Sequence, residues 1–247
     1  MALYDRPTWQ LMRAFADELL REPGNVVTKA QVHEWFRSRY PKIKRGTIDA
    51  HLSRMSTNLP VRVHYHGKPG ADDLFFRIDP QRFRRYDPEL DPPPIYEGGK
   101  AQDGREEVDD AGEIEASDSE FAYESDLRDY LAKNLPLIEA GLKLYEDEGI
   151  TGLEFPAGGR YIDILAVDAR GGLVVIELKV SRGYDRVIGQ LLRYIGWIRQ
   201  NLAEEGQVVR GIIVAREITD DLRLACFESG LVELFEYQLS LSLRKVN

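Results

Sequence analysis

Charged residues interrupt two segments of the chain that otherwise have the composition of buried β-strands. Segments 161–167 and 173–180 are rich in β-branched and apolar residues, which is typical of strands buried on both faces. Asp163 lies in the first segment, and Glu177 and Lys179 lie in the second. Burying a lone carboxylate costs free energy unless the charge is paired or binds a metal ion. The two strands therefore predict a functional site rather than a plain apolar core.

Strand geometry brings these three charges together. Glu177 and Lys179 are two residues apart, so they point to the same face of a strand. A turn over 168–172 joins the strands, and pairing centred on Arg170 places Asp163 opposite Glu177. Two carboxylates at that distance raise each other's pKa unless a cation lies between them. Oxygen ligands suit Mg²⁺, so the spacing predicts a Mg²⁺ site where Mn²⁺ can substitute, with Lys179 acting on water or on a phosphate.

Helices predicted before and after the two strands carry further polar residues. Gln190 and Tyr194 are four residues apart on a predicted helix over 186–202, so they share a face. An Asp and a Glu-x-Lys on a strand hairpin, followed by Gln-x-x-x-Tyr on a helix, resemble the RecB-like branch of the PD-(D/E)XK nucleases. The resemblance implies that Gln190 and Tyr194 support the site. It also implies that Glu124, on a predicted helix over 121–135, is a further metal ligand.

The C-terminal half resembles one nuclease family in more detail, the EndoMS/NucS mismatch endonucleases, over about 119–240. The resemblance implies an α/β (α+β) restriction-endonuclease-like fold, with a central mixed sheet flanked by helices. It implies a catalytic core of Asp163, Glu177 and Lys179, with Arg160 contacting phosphate or orienting a carboxylate. The segments that carry it are 124–131, 134–135, 138–139, 141–142, 159–163, 175–179 and 189–194.

The N-terminal part departs from that family, whose members carry a β-rich DNA-binding and dimerising domain before the nuclease. Apolar periodicity predicts helices over 8–22, 28–40 and 47–58, followed by strands over 61–66 and 74–78. Three helices and a hairpin follow the order of a winged-helix domain. Mismatch specificity therefore does not transfer from the family, and a site-specific or modification-dependent enzyme is equally compatible.

Basic residues cluster where a winged helix meets DNA, which predicts double-stranded DNA as the partner. The third helix would enter the major groove, and cations on it and on the wing would neutralise phosphates. A winged helix that contacts another protein is the alternative. The candidate nucleic-acid-binding residues of this part are Arg45, Thr47, Ser53, Arg54, Arg62 and Lys68.

Acidic charge is concentrated between the two parts. Residues 96–124 hold 11 Asp or Glu against 2 Lys or Arg, so the net charge of -9 does not argue against a nucleic-acid partner. We expect a winged-helix domain over 1–87, an acidic flexible linker over 88–118 and a nuclease domain over 119–247. The alternative for the linker is an acidic mimic that covers a basic face until DNA displaces it.

Composition limits the remaining function classes. A hydrophobic content of 43% is enough to build cores, while no stretch reaches the ~20 apolar residues that span a bilayer. Cys226 is the single cysteine, so no internal disulfide is expected, and no secretory signal is visible at the N-terminus. These features predict a cytoplasmic protein, associated with the nucleoid of a prokaryote-like cell, without a membrane partner.

The leading hypothesis is a Mg²⁺-dependent endodeoxyribonuclease that serves restriction and defence or DNA repair. Cutting both strands at a fixed offset is simplest for a homodimer, which we expect. One alternative is a non-catalytic DNA-binding regulator with a degenerate nuclease fold. Another is a structure-specific nuclease or one that acts on RNA.

Overall fold

The computed structural model of the protein contains an N-terminal unit up to residue 96 and a C-terminal unit from residue 118. No helix within the described ranges is long and apolar enough to cross a membrane. Backbone alone is described for 118–123 and 184–186. The described ranges are 4–22, 24–65, 67–96, 118–179, 184–227 and 229–238.

The N-terminal unit is a three-helix bundle with a small antiparallel sheet. Its sheet has the strand order β1-β3-β2. The three predicted helices and a following hairpin are present, and a strand that was not predicted lies between the first two helices. Its elements are α1 (Thr8–Leu19), β1 (Val26–Thr28), α2 (Lys29–Arg39), α3 (Arg45–Arg54), a 3-10 helix (Pro60–Tyr65), β2 (Phe75–Arg77) and β3 (Arg82–Arg85).

The prediction of a strand over 61–66, the first of the hairpin, is wrong. Residues 60–65 form a 3-10 helix, and the hairpin consists of β2 and β3 instead. The alternation of apolar and polar residues from Val61 onward imitates a strand, but the adjacent residues Val61 and Arg62 are both buried, which the two-residue period of a strand with one exposed face does not give. The third helix begins at Arg45, so Thr47 is not its N-cap.

The C-terminal unit is built on a six-stranded mixed sheet. Its strand order is β11-β10-β9-β8-β4, and β7 also pairs with β8. Strands β9, β10 and β11 are parallel, while β8 is antiparallel to its neighbours. The elements are α4 (Asp118–Lys133), a 3-10 helix (Leu135–Leu137), β4 (Lys143–Leu144), β5 (Glu146–Asp147), β6 (Ile150–Thr151), β7 (Leu153–Ala157), β8 (Arg160–Val167), β9 (Leu173–Lys179), α5 (Tyr184–Asn201), β10 (Val209–Ala215), α6 (Asp220–Phe227) and β11 (Val232–Glu236).

Helices cover both faces of this sheet. Apolar residues of α5 and α6 pack on one face, and those of α4 pack on the other. The strands predicted over 161–167 and 173–180 correspond to β8 and β9, and the helix predicted over 186–202 corresponds to α5. The expected fold class, a central mixed sheet flanked by helices, is therefore confirmed.

The two units share one hydrophobic core. Ala50 of α3 and Leu59, Val61 and Tyr65 of the N-terminal unit pack in the same cluster as apolar residues of β7, β8 and α5. A side chain at Gly46 would place its Cβ 3.2 Å from the main-chain oxygen of an α5 residue. Helix α3 is therefore an interface helix that lies against the C-terminal unit.

The start of the predicted linker remains attached to the N-terminal unit. Asp91 forms an ion pair with Arg84, and the Ile95 N–H donates to the main-chain oxygen of Thr57 at 3.0 Å. The acidic segment from 97 to 117 lies outside the described residues, as does the strand predicted over 239–246.

Candidate active site

Two buried carboxylates lie on the adjacent central strands. Ile164 of β8 is paired with Ile176 of β9, and Asp163 and Glu177 come directly next to this last pair of the register. The register is the one predicted from the turn centred on Arg170. Asp163 is 6% exposed and Glu177 is 2% exposed, so both acidic groups are buried at the sheet.

Neighbouring groups hold each carboxylate in place. The Leu178 N–H donates to Oδ2 of Asp163 at 2.8 Å. The side-chain amide of Gln190 donates to Oε1 of Glu177 at 2.7 Å. Since Gln190 belongs to α5, the Glu177 carboxylate lies on the face of the sheet that α5 covers.

Tyr194 connects α5 by a hydrogen bond to β8, the strand that contains Asp163. Its hydroxyl donates to the main-chain oxygen of Tyr161 at 2.7 Å and accepts from the Gln190 amide at 3.2 Å. Burial, followed by the nearby charge of Glu177, raises the pKa of Tyr194 to about 12. The phenol therefore stays protonated at neutral pH and acts as a fixed hydrogen-bond donor.

Lys179 and Glu124 differ in their relation to the carboxylate pair. Lys179 ends β9, two residues after Glu177 and on the same face, and pairs in register with Ala215 of β10. Glu124 lies on α4, which packs on the opposite face of the sheet. Among the residues whose placement is described, no three His, Cys, Asp or Glu side chains form a metal-binding group. The structure thus does not gather Glu124 with Asp163 and Glu177 as the resemblance implied.

The donor set still suits a hard cation. Mg²⁺ usually keeps several water molecules and binds proteins through one or two carboxylates together with substrate phosphates. Asp163 and Glu177 supply two such carboxylates on adjacent strands. The residues present therefore fit Mg²⁺ in kind and in number.

Helix α3 does not present the predicted DNA-reading residues to solvent. Ser53, Arg54 and Arg62 are 9%, 5% and 1% exposed. Arg54 forms an ion pair with Asp72 at 2.9 Å, and Arg62 forms one with Asp73 at 2.7 Å. Arg54 also donates to the main-chain oxygen of Glu148 in the C-terminal unit, whereas the hydrogen-bond partners of Arg62 belong to the N-terminal unit. Because all three side chains are buried, they are not placed to contact a phosphate or a base in this arrangement.

The other candidate nucleic-acid-binding residues are accessible. Arg45, Lys68 and Arg160 are exposed, and Thr47 is half-buried. Arg160 begins β8, three residues before Asp163. Of the predicted set, Arg160 is the cation nearest in sequence to the carboxylate pair.

The sequence reasoning missed strand β7 and its residue Glu154. The signal was present, because Gly158 and Gly159 form a two-residue turn between β7 and β8, a common hairpin connection. Glu154 interrupts an apolar strand in the same way as Asp163 does. That feature could have marked it as a candidate.

The central mixed sheet flanked by helices, with buried Asp163 and Glu177 on adjacent strands, is similar to nuclease domains of the PD-(D/E)XK type. Residues 123–236 match the family model described as the endonuclease NucS C-terminal domain, so this part of the chain is similar to NucS-type domains. Residues 7–85 match a domain of unknown function, DUF7669.

Curated relatives resemble the C-terminal half. Endonuclease NucS of Methanopyrus kandleri is 33% identical over 45% of this chain and 39% of its own length. Endonuclease NucS 2 of Halobacterium salinarum is 33% identical over 50% of this chain and 46% of its own. The chain thus spans less than half the length of these relatives. Among solved structures, a repair endonuclease from Pyrococcus abyssi aligns with a TM-score of 0.39 and 27% identity, over 52% of this chain and 50% of that chain.

Proposed function

We propose that the protein is a metal-dependent endonuclease that hydrolyses phosphodiester bonds in double-stranded DNA. One observation carries the proposal. Asp163 and Glu177 are buried at neighbouring positions of two adjacent strands, and Lys179 lies on the same face as Glu177. The NucS-type match over residues 123–236 supports the same reaction class.

The chain's own residues have distinct tasks in such a reaction. Asp163 and Glu177 would hold a divalent cation, and that cation would supply Lewis-acid polarisation of the phosphate and a more acidic water. Lys179 would donate a hydrogen bond to the phosphoryl oxygen on which negative charge develops. Gln190 holds the Glu177 carboxylate, and Tyr194 holds α5 against β8, so these two residues would position the site and not react.

DNA binding in this proposal does not use α3 as a recognition helix. The N-terminal unit is proposed to be a winged helix that is docked on the nuclease through α3. Exposed Lys68 and Arg45, together with Arg160 beside the site, would contact phosphates. Phosphate contacts fix register but carry little sequence information, so the preference for a mismatch, a modified base or a site is a matter for the substrate test.

The described residues of one chain contain one such site, which would account for the hydrolysis of one strand. Cutting both strands at a fixed offset requires a second site, and a homodimer is the simplest source of it. The same experiment therefore includes sedimentation of the protein bound to a duplex that it cleaves, which measures whether one chain or two are bound.

The test is cleavage of plain, mismatched and cytosine-modified duplexes with Mg²⁺ or Mn²⁺, for wild type and Asp163→Ala. Glu233→Gln is the matched control, since Glu233 is an exposed carboxylate on edge strand β11 of the same sheet. We expect metal-dependent cutting that Asp163→Ala abolishes and Glu233→Gln retains. Duplex binding without any cutting in wild type would instead indicate a non-catalytic regulator. Cutting of RNA but of no DNA duplex would indicate that RNA, and not DNA, is the substrate.

A further inference from the structure

Glu154 lies beside the candidate active site on the neighbouring strand. Phe155 of β7 is paired with Ile162 of β8, and continuing that register by one residue places Glu154 level with Asp163. Asp163 therefore has Glu177 on one side and Glu154 on the other. Three acidic residues thus occupy one row across the sheet.

The backbone of Glu154 departs from the strand at this point. Its φ is 46°, in the left-handed region that residues other than glycine seldom occupy. Facing residues of a regular antiparallel pair project to the same face. An extended Glu154 would consequently bring a third carboxylate beside Asp163. Conformations of this kind persist where the surroundings hold them, and they cluster at functional sites.

Two basic side chains hold the Glu154 carboxylate away from that row. It forms an ion pair with Arg128, a buried residue of α4, one helical turn after Glu124. Nε2 of His64, at the end of the 3-10 helix of the N-terminal unit, lies 3.3 Å from its Oε2. The carboxylate thus connects α4 of the nuclease to the N-terminal unit.

The N-terminal unit also holds the main chain of Glu154. The hydroxyl of Tyr65, a fully buried residue, donates to the carbonyl oxygen of Glu154 at 2.8 Å. Beside it, the Thr151 hydroxyl donates to the carbonyl oxygen of His64 at 2.9 Å. The N-terminal unit therefore holds β7 next to Asp163 through both side-chain and main-chain contacts.

We propose that Glu154 is a positioning residue through which the docked N-terminal unit fixes Asp163 as a metal ligand. The inference rests on the proposed function, in which Asp163 and Glu177 hold a divalent cation. While Tyr65 and Arg128 hold Glu154 in its left-handed conformation, Asp163 has one carboxylate neighbour and one defined place in the sheet. Loss of either contact lets β7 shift relative to β8 and changes the geometry of the ligand pair.

The test compares Mn²⁺ binding, followed by electron paramagnetic resonance, in wild type, Glu154→Gln and Tyr65→Phe. Both variants keep the side-chain shape: Glu154→Gln removes the charge that pairs with Arg128 and His64, and Tyr65→Phe removes the hydrogen bond to the main chain of Glu154. We expect each to weaken Mn²⁺ binding about 10-fold, as is typical for partners of metal ligands, and to raise the Mn²⁺ concentration for half-maximal cleavage equally. Circular dichroism and metal-free duplex affinity should equal those of wild type, a result that general unfolding would not give.

A matched control breaks a different contact between the two units. Lys44 of the N-terminal unit forms an ion pair with Glu204 at 3.3 Å, and the contacts of Glu154 described above involve neither residue. Lys44→Met should bind Mn²⁺ as wild type does. Wild-type Mn²⁺ affinity in Glu154→Gln, or an equal loss in Lys44→Met, would overturn the inference.

Asp163→Asn separates this inference from the proposed function. If wild type binds Mn²⁺ through Asp163 but cuts no nucleic acid, the proposed function fails and the Mn²⁺ comparison still decides the role of Glu154. If Asp163→Asn binds Mn²⁺ as tightly as wild type, Asp163 is not a ligand and the positioning role is overturned.

Discussion

Arg54 of α3 donates a hydrogen bond from its Nη1 to the main-chain oxygen of Glu148 at 2.8 Å, across the boundary between the two units. Its Nε and Nη2 both donate to Asp72, at 3.1 and 2.9 Å. The Thr8 N–H donates to the Glu148 carboxylate at 2.7 Å. Helix α3 therefore joins the N-terminal unit to the C-terminal unit through both polar and apolar contacts.

This joint leads to opposite expectations for two arginines. Arg54→Ala removes one partner of a buried ion pair, so it should lower the free energy of unfolding by about 3 kcal/mol or more. Arg160→Ala should leave stability unchanged but reduce the log–log salt dependence of duplex affinity by about 1. Denaturant unfolding and a salt titration of DNA affinity measure the two quantities. A reduced salt slope in Arg54→Ala, with its fold intact, would restore α3 as the DNA-contacting helix.

The shared core leads to a prediction for the isolated nuclease half. A chain of residues 118–247 would expose the apolar surface of β7 and α5 that Leu59, Val61 and Tyr65 cover in the whole protein. We expect its thermal midpoint to fall by more than 10 °C, or the fragment to aggregate, because burial of such side chains contributes about 1.5–3 kcal/mol each. Differential scanning calorimetry of the fragment and the full chain makes the comparison. An unchanged midpoint would mean that the two units fold independently.

Local pattern was sufficient to predict β8, β9 and the Asp163–Glu177 pair. A strand has a two-residue period and the turn is short, so the register follows from the sequence alone. The burial of Arg54 was not predictable in this way. It depends on docking between units that are far apart in sequence, and a basic helix looks the same whether its partner is a phosphate or Asp72. The same limit applies to Glu154, whose left-handed backbone is held by contacts from the other unit.

Titration of Tyr194 links the site to stability at high pH. Its folded-state pKa, about 12, lies above the ordinary value of 10.0, so the folded protein keeps the phenol proton where the unfolded chain loses it. The contribution is complete below pH 10 and falls as the pH rises from 10 to about 12. It is at most about 3 kcal/mol. Tyr194→Phe should therefore flatten the decline of unfolding free energy across this window.

Two other buried phenols make a control for that measurement necessary. Burial raises the pKa of Tyr65 and of Tyr145 as well, so wild type loses stability at high pH for more than one reason. The quantity to compare is the difference between wild type and Tyr194→Phe at each pH. A difference that stays constant from pH 9 to about 12 would contradict the assignment of the shift to Tyr194.

A substitution of Lys179 separates the cleavage rate from the affinity for duplex DNA more directly than the other changes do. Lys179→Met keeps an unbranched side chain that is one atom shorter and removes the charge at the end of β9. We expect the cleavage rate to fall about 10²- to 10³-fold, because a donor aimed at developing phosphoryl charge is worth that much in comparable sites. Duplex affinity measured without divalent metal should change by less than a factor of about 3, since one phosphate contact contributes little to the total. Lys143→Met, at an exposed lysine on edge strand β4 of the same sheet, is the control and should cleave as wild type does. Equal rates in the two variants would remove Lys179 from the reaction and leave Asp163 and Glu177 as a metal site without that donor.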